Sequence, residues 1–252
     1  MSEPRSRRFL RRCAGLSLCA FVGTGVSTTQ SAGSGPFGRV APRTSPFGLS
    51  DDFEAAQLSS AWRFENPGLA QFAQGGGVLT ITPLASGPSA IWFNDAEGPL
   101  LYKRVTGDFT VSARVHARDS LFPSAPPPAP YRLGGLLARN PNSTSPDLDW
   151  VHVALGAGDA SAPVAVEDKT TVDSQSDYVF QAVATPDAEL RIRRRGASFE
   201  LAWRPLGAPA WSPLRTHVRP DLPATLDVGL MAYSASTPAR LVVTVDEIVF
   251  SP

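Results

Sequence analysis

The side chains in this sequence best suited to chemistry are arginines, histidines and aromatic rings on strand-like segments. Arg114 and His116 alternate with apolar residues along Phe109–Arg118. A guanidinium and an imidazole can direct hydrogen bonds at a polar ligand, and a flat ring can stack on its apolar face. These residue types indicate a ligand-binding surface.

The same period-2 alternation places four further candidates. Arg139 ends Leu133–Arg139, Trp150 and His152 share one face of the next predicted strand, and Tyr233 ends Thr225–Tyr233. If these strands are neighbours in one sheet, six side chains form one polar and aromatic groove: Arg114, His116, Arg139, Trp150, His152 and Tyr233. Trp92 is a further stacking candidate. The alternative is that Trp150 and Tyr233 fill the core and the arginines are solvated.

Sequence patterns typical of catalytic sites are weaker in this chain than those typical of a binding surface. A nucleophile motif of the Gly-x-Ser-x-Gly type is absent, and the three histidines lack zinc-site spacing. Glycoside hydrolysis needs two carboxylates on either side of the scissile bond. Asp147 and Asp149 precede a predicted strand, whereas Glu167 and Asp168 are adjacent and therefore point to opposite faces. No catalytic residue is assigned from the sequence.

The N-terminus has the pattern of an export signal. Five arginines up to Arg12 precede Cys13–Ser27, an uncharged run of 15 residues that is shorter than the about 20 needed to span a membrane. Small residues follow, so residues 1–32 are predicted to be a signal peptide, with an imperfect twin-arginine motif at Ser6–Arg11. The mature protein is expected to be periplasmic or extracellular, exported by the general or the twin-arginine route.

Charge and cysteine content indicate which binding partners and which covalent links the mature protein is expected to have. Loss of five of the 23 basic residues and one of the 23 acidic residues with the signal leaves 18 against 22. This slightly acidic balance does not favour nucleic-acid binding. Both cysteines, Cys13 and Cys19, lie in the signal, so the mature domain is expected to lack disulfides.

The candidate ligand-binding side chains are predicted to lie on short strands. Gly-, Pro- and Ser-rich residues 33–50 are predicted to be a flexible leader, and residues 51–252 one domain. A helical turn is a candidate only over Glu54–Ala61. Many short strands separated by Gly and Pro turns predict an all-β, antiparallel two-sheet β-sandwich. The predicted strands are Trp62–Glu65, Val78–Pro83, Ser89–Phe93, Leu100–Arg104, Phe109–Arg118, Leu133–Arg139, Trp150–Leu155, Val164–Glu167, Tyr178–Ala184, Glu189–Arg195, Ser198–Trp203, Leu214–Val218, Thr225–Tyr233 and Leu241–Phe250.

Spaced glycine and apolar positions carry a resemblance to a known family. They include Asp51-Asp52-Phe53, Gly107-Asp108-Phe109, Gly134–Arg139, Val228-Gly229-Leu230 and Val245–Phe250. In these residues the chain resembles a bacterial concanavalin A-like lectin/glucanase domain, a jelly roll, from about Asp51 to Phe250. The resemblance implies a sandwich whose concave sheet holds saccharide. The Glu-x-Asp-x-x-Glu run of the glucanase members is absent, which puts catalysis in doubt.

The resemblance also implies a structural calcium ion, for which Asp52 and Asp246 are the candidate ligands. Calcium takes six to eight oxygen ligands, so two carboxylates need backbone carbonyls to complete the site. The alternative is that Asp52 starts a turn and Asp246 is an exposed strand residue.

The function expected from the sequence is an exported, non-catalytic, lectin-like domain whose partner is a polysaccharide or other glycan. One alternative is a divergent glycosidase or other polysaccharide-active enzyme. Another is a structural or adhesion domain without a small ligand.

Overall fold

A computed structural model of the chain describes residues 48–252. In this range the chain forms fourteen strands and one turn of 3-10 helix, Pro67–Leu69. The strands are β1 (Arg63–Glu65), β2 (Ala70–Gly75), β3 (Val78–Pro83), β4 (Leu100–Thr106), β5 (Phe109–Arg118), β6 (Arg132–Arg139), β7 (Trp150–Ala157), β8 (Ala165–Val172), β9 (Gln175–Ala182), β10 (Asp187–Arg195), β11 (Ser198–Pro205), β12 (Ser212–Val218), β13 (Thr225–Ser234) and β14 (Val242–Ser251). Within residues 48–252, no helix has the length and hydropathy to cross a membrane.

The strands pair antiparallel into two seven-stranded sheets. Sheet 1 has the order β1-β4-β13-β6-β7-β8-β9, and sheet 2 has the order β12-β11-β10-β5-β14-β3-β2. The two-residue turn Gly196–Ala197 joins β10 to β11, where Arg195 pairs with Ser198 and Gly196 has a φ of 56°. A positive φ is easily adopted by glycine, which is why the chain reverses there. The predicted antiparallel two-sheet sandwich is confirmed.

The main core lies between the two sheets and is built from alternate side chains of both. In β5, Phe109, Val111 and Val115 are fully buried, whereas Ser112 and Arg114 are partly exposed, as the alternation predicts. Leu136 and Val153 of sheet 1 belong to the same buried cluster. Burying each large apolar side chain contributes roughly 1.5–3 kcal/mol, so this layer holds the sheets together.

Sheet 1 carries a second apolar layer on its outer face. Residues 84–99, here called the cover segment, connect β3 to β4 and place Ile91 and Trp92 in one buried cluster with residues of the sheet. The sheet contributes Leu100, Tyr102, Leu133, Leu137, Trp150, Ala154, Met231 and Tyr233. As a result β6 and β7 are buried on both faces along their whole length.

Three local predictions are wrong. Residues 89–92 form turns and bends and Phe93 makes an isolated bridge to Ala96, because Ile91 and Trp92 are buried in the second layer while Ala90 N closes a turn onto Gly87 O at 3.2 Å. Strand β2 was not predicted, since its sequence AQFAQG is poor in β-branched residues; it pairs with β3 along all six positions. Glu54–Ala61 contains no helical turn.

Leu49 and Ser50, just before the predicted boundary at residue 51, contact the sandwich. Leu49 packs against the main core, and its carbonyl accepts a hydrogen bond of 2.7 Å from Lys103 Nζ. Ser50 Oγ accepts one of 2.9 Å from Phe250 N. The predicted signal peptide, residues 1–32, and leader residues 33–47 lie outside the described residues.

Candidate functional site

Four of the predicted site residues share the outer face of sheet 1. Arg139 pairs with Trp150, and Leu137 with His152, across β6 and β7. Tyr233 lies opposite Leu133 on the neighbouring β13. This face is covered rather than open: Trp150 and His152 are fully buried, and Tyr233 and Arg139 are 3% and 5% exposed.

The cover segment occupies the place expected for a ligand. The Trp92 ring meets the Trp150 ring edge-on, with centroids 5.1 Å apart, and is itself fully buried. Trp92 Nε1 donates to Pro99 O at 3.2 Å. Neither ring is exposed for stacking, so the predicted open groove is wrong; the two tryptophans pack against each other.

Arg114 and His116 lie elsewhere. Strand β5 belongs to sheet 2, between β10 and β14, so these side chains are on the outer face of the opposite sheet. The prediction that all six residues line one groove is therefore wrong, because alternation assigns a face but not a sheet.

His116 is held between two carboxylates. Its Nδ1 is 2.6 Å from Asp187 Oδ1, and its Nε2 is 3.1 Å from Asp246 Oδ2. The hydrogen bond to Asp246 raises the pKa of His116; burial opposes it, and Asp187 adds to the rise. With an acceptor at each ring nitrogen, the geometry favours the doubly protonated imidazolium.

A network of buried polar side chains lies under the cover segment, formed by His152, Glu167, Lys169 and Tyr233. Glu167 Oε2 accepts from Tyr233 Oη at 2.6 Å and from His152 Nε2 at 2.8 Å, while Glu167 Oε1 is 2.9 Å from Lys169 Nζ. Burial alone would raise the pKa of Glu167, but Lys169 and His152 lower it to about 2. Glu167 is thus a structural anion, and a carboxylate so firmly ionised is a poor general acid.

The two neighbours in sequence, Glu167 and Asp168, have separate roles, because they point to opposite faces of β8 as predicted. Asp168 faces β12, where its carboxylate lies 2.8 Å from His217 Nε2 and accepts from Arg215 N at 2.8 Å. Asp168 joins the sheets at this edge of the sandwich.

The two residues expected to bind calcium have other partners. Asp246 contacts His116, and Asp52 Oδ1 accepts from Glu54 N at 3.2 Å within a turn. Among residues 48–252, no group of three or more His, Cys, Asp or Glu could hold a metal ion. A calcium ion takes six to eight oxygens, so Asp52 and Asp246 would need backbone carbonyls to complete a site. Calcium binding stays a prediction from the resemblance.

Four aromatic rings form a continuous line beside the buried network, here called the aromatic strip: Phe93, Tyr178, Phe180 and Tyr131. Consecutive ring centroids are 6.0, 5.5 and 6.0 Å apart. Tyr178 is 37% exposed, and the other three rings are half-buried. In the part of the chain that the structure describes, this is the aromatic row that reaches solvent on the outer face of sheet 1.

The strip is positioned by the edge strand and by two loops. Tyr178 and Phe180 project from β9 opposite Lys169 and Glu167 of β8. Lys169 Nζ lies 5.3 Å from the Tyr178 centroid and 5.4 Å from that of Phe93, so a buried cation supports their inner sides.

Both ends of the strip are fixed by backbone contacts. Next to Phe93, Asn94 N donates to Ser176 Oγ at 2.8 Å, and Ser176 N donates back to Asn94 Oδ1 at 3.0 Å. Tyr131 has a φ of 56°, and its N–H donates to Gly158 O at 2.7 Å. A bulky residue in this region is strained by about 1–3 kcal/mol, a cost often found at functional sites.

Sequence reasoning missed these four residues. Tyr178 and Phe180 are two residues apart on the strand predicted at Tyr178–Ala184, which could have placed two rings on one face. Phe93 and Tyr131 come from loops, so no periodicity connects them to β9.

Comparisons with known proteins agree on the fold. No family model matches the sequence, and no curated protein matches it. Among solved structures, a functionally unknown protein from Saccharomyces cerevisiae is 17% identical, with a TM-score of 0.58, over 76% of this chain and 96% of that chain. A basic winged bean lectin, solved with Tn-antigen, is 11% identical, with a TM-score of 0.54, over 80% and 96%.

A xylan β-1,4-xylosidase from Bacillus halodurans C-125 is 15% identical, with a TM-score of 0.62, over 81% of this chain. This chain spans 39% of the xylosidase. At such identities the likeness shows the fold alone, a two-sheet β-sandwich that lectins and a module of this enzyme also adopt.

Proposed function

We propose that this domain binds a linear carbohydrate chain along the aromatic strip and does not cleave it. The observation that carries the proposal is the row of four neighbouring rings along edge strand β9, two from the strand and two from loops, with Tyr178 37% exposed. Aromatic faces stack on the C–H faces of sugar rings, and a single row of rings suits an extended chain better than a lone sugar.

Polar groups along the strip orient the bound carbohydrate chain. The hydroxyls of Tyr178 and Tyr131 can each donate and accept a hydrogen bond with sugar hydroxyls. The buried network beneath the strip holds Lys169 and Glu167 at 2.9 Å, so their charges compensate each other and the strip favours a neutral chain.

The comparisons support the ligand class. A lectin solved with Tn-antigen and a xylan β-1,4-xylosidase share the sandwich. They carry no residue-level argument at these identities, so the choice of the strip depends on its geometry. Export through the predicted signal peptide, residues 1–32, remains part of the proposal.

The non-catalytic part depends on the carboxylates near the strip. Glu167 is buried, ionised and engaged by three partners. Asp149 is 8% exposed, and its Oδ1 lies 3.0 Å from Arg219 NH2. Glycoside hydrolysis needs a carboxylic acid that can give up its proton next to a second carboxylate. We propose a non-catalytic role because both carboxylates are engaged by basic partners.

Affinity electrophoresis of the full chain in gels containing neutral polysaccharides (xylan, mixed-linkage β-glucan, galactomannan) tests the proposal. At least one polysaccharide should retard the protein, and Tyr178→Ala with Phe180→Ala should weaken binding. Removing an aromatic hot spot costs about 2 kcal/mol, or roughly thirtyfold in affinity. Val179→Ala is the matched control, because Val179 lies between the two rings but on the other face of β9 and is 50% exposed.

Two results would overturn the proposal. One is equal retardation of the wild type and of the Tyr178→Ala/Phe180→Ala variant, with both folded by circular dichroism. The other is release of reducing sugar from a retarding polysaccharide, which would contradict the non-catalytic part.

A further inference from the structure

A row of arginines runs along β10 on the outer face of sheet 2. Leu190 and Ile192 of this strand point into the main core. The alternate side chains therefore point outward, among them Arg191, Arg193 and Arg195. Strand β10 pairs with β5 on one side and β11 on the other, so regularly paired backbone positions the row. The aromatic strip belongs to the opposite sheet and is not involved.

The carboxylates nearest the row already have arginine partners. Three acidic side chains on this part of the face each lie within 4 Å of an arginine nitrogen: Glu200 of Arg193, Glu189 of Arg204, and Glu247 of Arg114. Further along the face, two more are engaged by Arg118 and His116: Asp187 and Asp246. With the carboxylates of residues 48–252, Arg191 forms no ion pair, so its positive charge is in surplus.

Arg195 adds to this surplus but uses its hydrogen-bond donors within the fold. Its NH1 donates to Arg194 O at 2.9 Å, and its NH2 donates to Pro252 O at 3.3 Å. It lies four residues beyond Arg191 on the same strand, or about 13 Å at 3.3 Å per residue. Arg191 is therefore the arginine of the row whose donors are left for a ligand.

The Arg191 guanidinium is held by an aromatic ring rather than by hydrogen bonds. It lies 4.4 Å from the ring centroid of Trp211, and the Arg204 guanidinium lies at the same distance from that ring. Stacking on a ring fixes the plane of the guanidinium and leaves its in-plane donors free. Arg191 Nε is buried and has no hydrogen-bond partner in the described part of the chain. A buried N–H without an acceptor is unfavourable, which indicates that a ligand completes the site.

Small side chains lie opposite Arg191 on both neighbouring strands. Ser112 of β5 and Ala202 of β11 are its cross-strand neighbours. Directly opposed residues on one face have Cβ atoms about 4.5–5.5 Å apart, so the Ser112 hydroxyl is close to the guanidinium. Ser112 lines a shallow depression of the sheet, and its hydroxyl makes no hydrogen bond to another described residue. It can therefore donate to the same ligand.

We propose that Arg191 and Ser112 bind the carboxylate group of a small organic acid. The terminal nitrogens of Arg191 donate to the carboxylate oxygens, and the Ser112 hydroxyl donates to one of them. A planar carboxylate matches the fork of donors on a guanidinium, and Trp211 holds that fork in place.

The electrostatics of the face favour a single negative charge. Burial lowers the pKa of Arg191, and the neighbouring Arg193 and Arg204 lower it further. Glu200 opposes this effect. A bound anion would stabilise the Arg191 cation, whereas a second negative charge on the ligand would meet Glu189 and Glu200 on the same face. A carboxylate is therefore preferred to a phosphate dianion.

The indole N–H of Trp211 reports on this site in ¹⁵N–¹H NMR spectra of the full chain. The protein has five tryptophans, and the Trp211 signal is the one lost in Trp211→Phe. Sodium acetate should shift this signal with half-saturation at millimolar concentration, and sodium chloride at the same ionic strength should not. The other four indole signals should stay in place.

Variants identify the donors, with the backbone amides of Ala113 and Ala202 as reporters that remain in each protein. Arg191→Lys keeps the charge but removes the fork and should weaken acetate binding about tenfold, whereas Arg191→Gln should abolish it. Ser112→Ala should weaken binding about fivefold through the loss of one hydrogen bond. Arg195→Gln is the matched control, because it removes the same charge from the same strand and face; it should change binding less than about twofold.

Four results would overturn the inference. They are equal shifts with acetate and with chloride, binding that is unchanged in both Arg191 variants, equal weakening in Arg195→Gln and Arg191→Gln, and half-saturation by phosphate at a lower concentration than by acetate. Thermal unfolding shows whether each variant is folded. Arg191→Lys retains a cation beside Trp211, so it keeps the test available if Arg191→Gln is unstable.

Discussion

Replacing Glu167 by glutamine tests the role assigned to the buried network. Glutamine keeps the size of the side chain but removes the charge that compensates Lys169, which is 3% exposed. The pKa of Glu167 is lowered from about 4.5 to about 2, and each pH unit of such lowering corresponds to about 1.4 kcal/mol. The ionised carboxylate therefore contributes about 3 kcal/mol to folding at neutral pH.

The sign of the pH dependence follows from the direction of the pKa change. Because the folded-state pKa of Glu167 is lowered, its contribution is complete above about pH 4.5 and is lost as the pH falls towards 2. Urea unfolding of the wild type and Glu167→Gln between pH 7 and pH 2.5 should show a difference of about 3 kcal/mol that shrinks towards low pH. Glu200→Gln, in a pair whose side chains are both 41% exposed, should change the free energy of unfolding by less than about 1 kcal/mol. A difference for Glu167→Gln that stays constant over this pH range would contradict a lowered pKa of Glu167 in the folded protein.

Two further predictions concern single positions. Because the pKa of His116 is raised in the folded protein, its contribution to stability is complete below about pH 6.5 and is lost as the pH rises through the folded-state pKa. The free energy of unfolding should therefore fall as the pH rises through this range in the wild type but not in His116→Gln. An NMR titration midpoint of His116 at its ordinary value would contradict this. Gly229→Ala should lower the free energy of unfolding by about 1–3 kcal/mol, because its Cβ would lie 1.9 Å from Leu101 O. Gly68→Ala meets nothing within 4 Å and should leave the free energy of unfolding nearly unchanged. Equal urea midpoints of the two variants would contradict the close approach of β13 to β4.

Local alternation predicts which side chains share a face, and the structure shows why that prediction holds for β6 and β7. Trp150, His152 and Arg139 share one face because successive strand side chains point to opposite sides. The same rule correctly separates Glu167 from Asp168.

Sheet membership and covering segments are not local properties. Arg114 and Trp150 have similar patterns around them, yet β5 and β7 belong to different sheets. Trp92 covers Trp150 through a segment without regular strands, so no periodicity predicts that contact. From the sequence, the outer face of sheet 1 is therefore predicted to be an open groove, whereas in the structure it carries a second buried apolar layer.

The aromatic strip depends on residues far apart in the chain. Tyr178 and Phe180 come from one strand, but Phe93 and Tyr131 reach them from separate loops through 6.0 Å ring contacts. The family resemblance implies carbohydrate as the ligand class, whereas the rings proposed to bind it become apparent only when the loops are placed.

A glycan array probed with the full chain and with the Tyr178→Ala/Phe180→Ala variant tests carbohydrate binding at the aromatic strip. The wild type should bind at least one linear neutral glycan and the variant should lose this binding, while Val179→Ala should retain it. The absence of binding across plant, microbial and host glycans, or binding that survives loss of both rings, would contradict it.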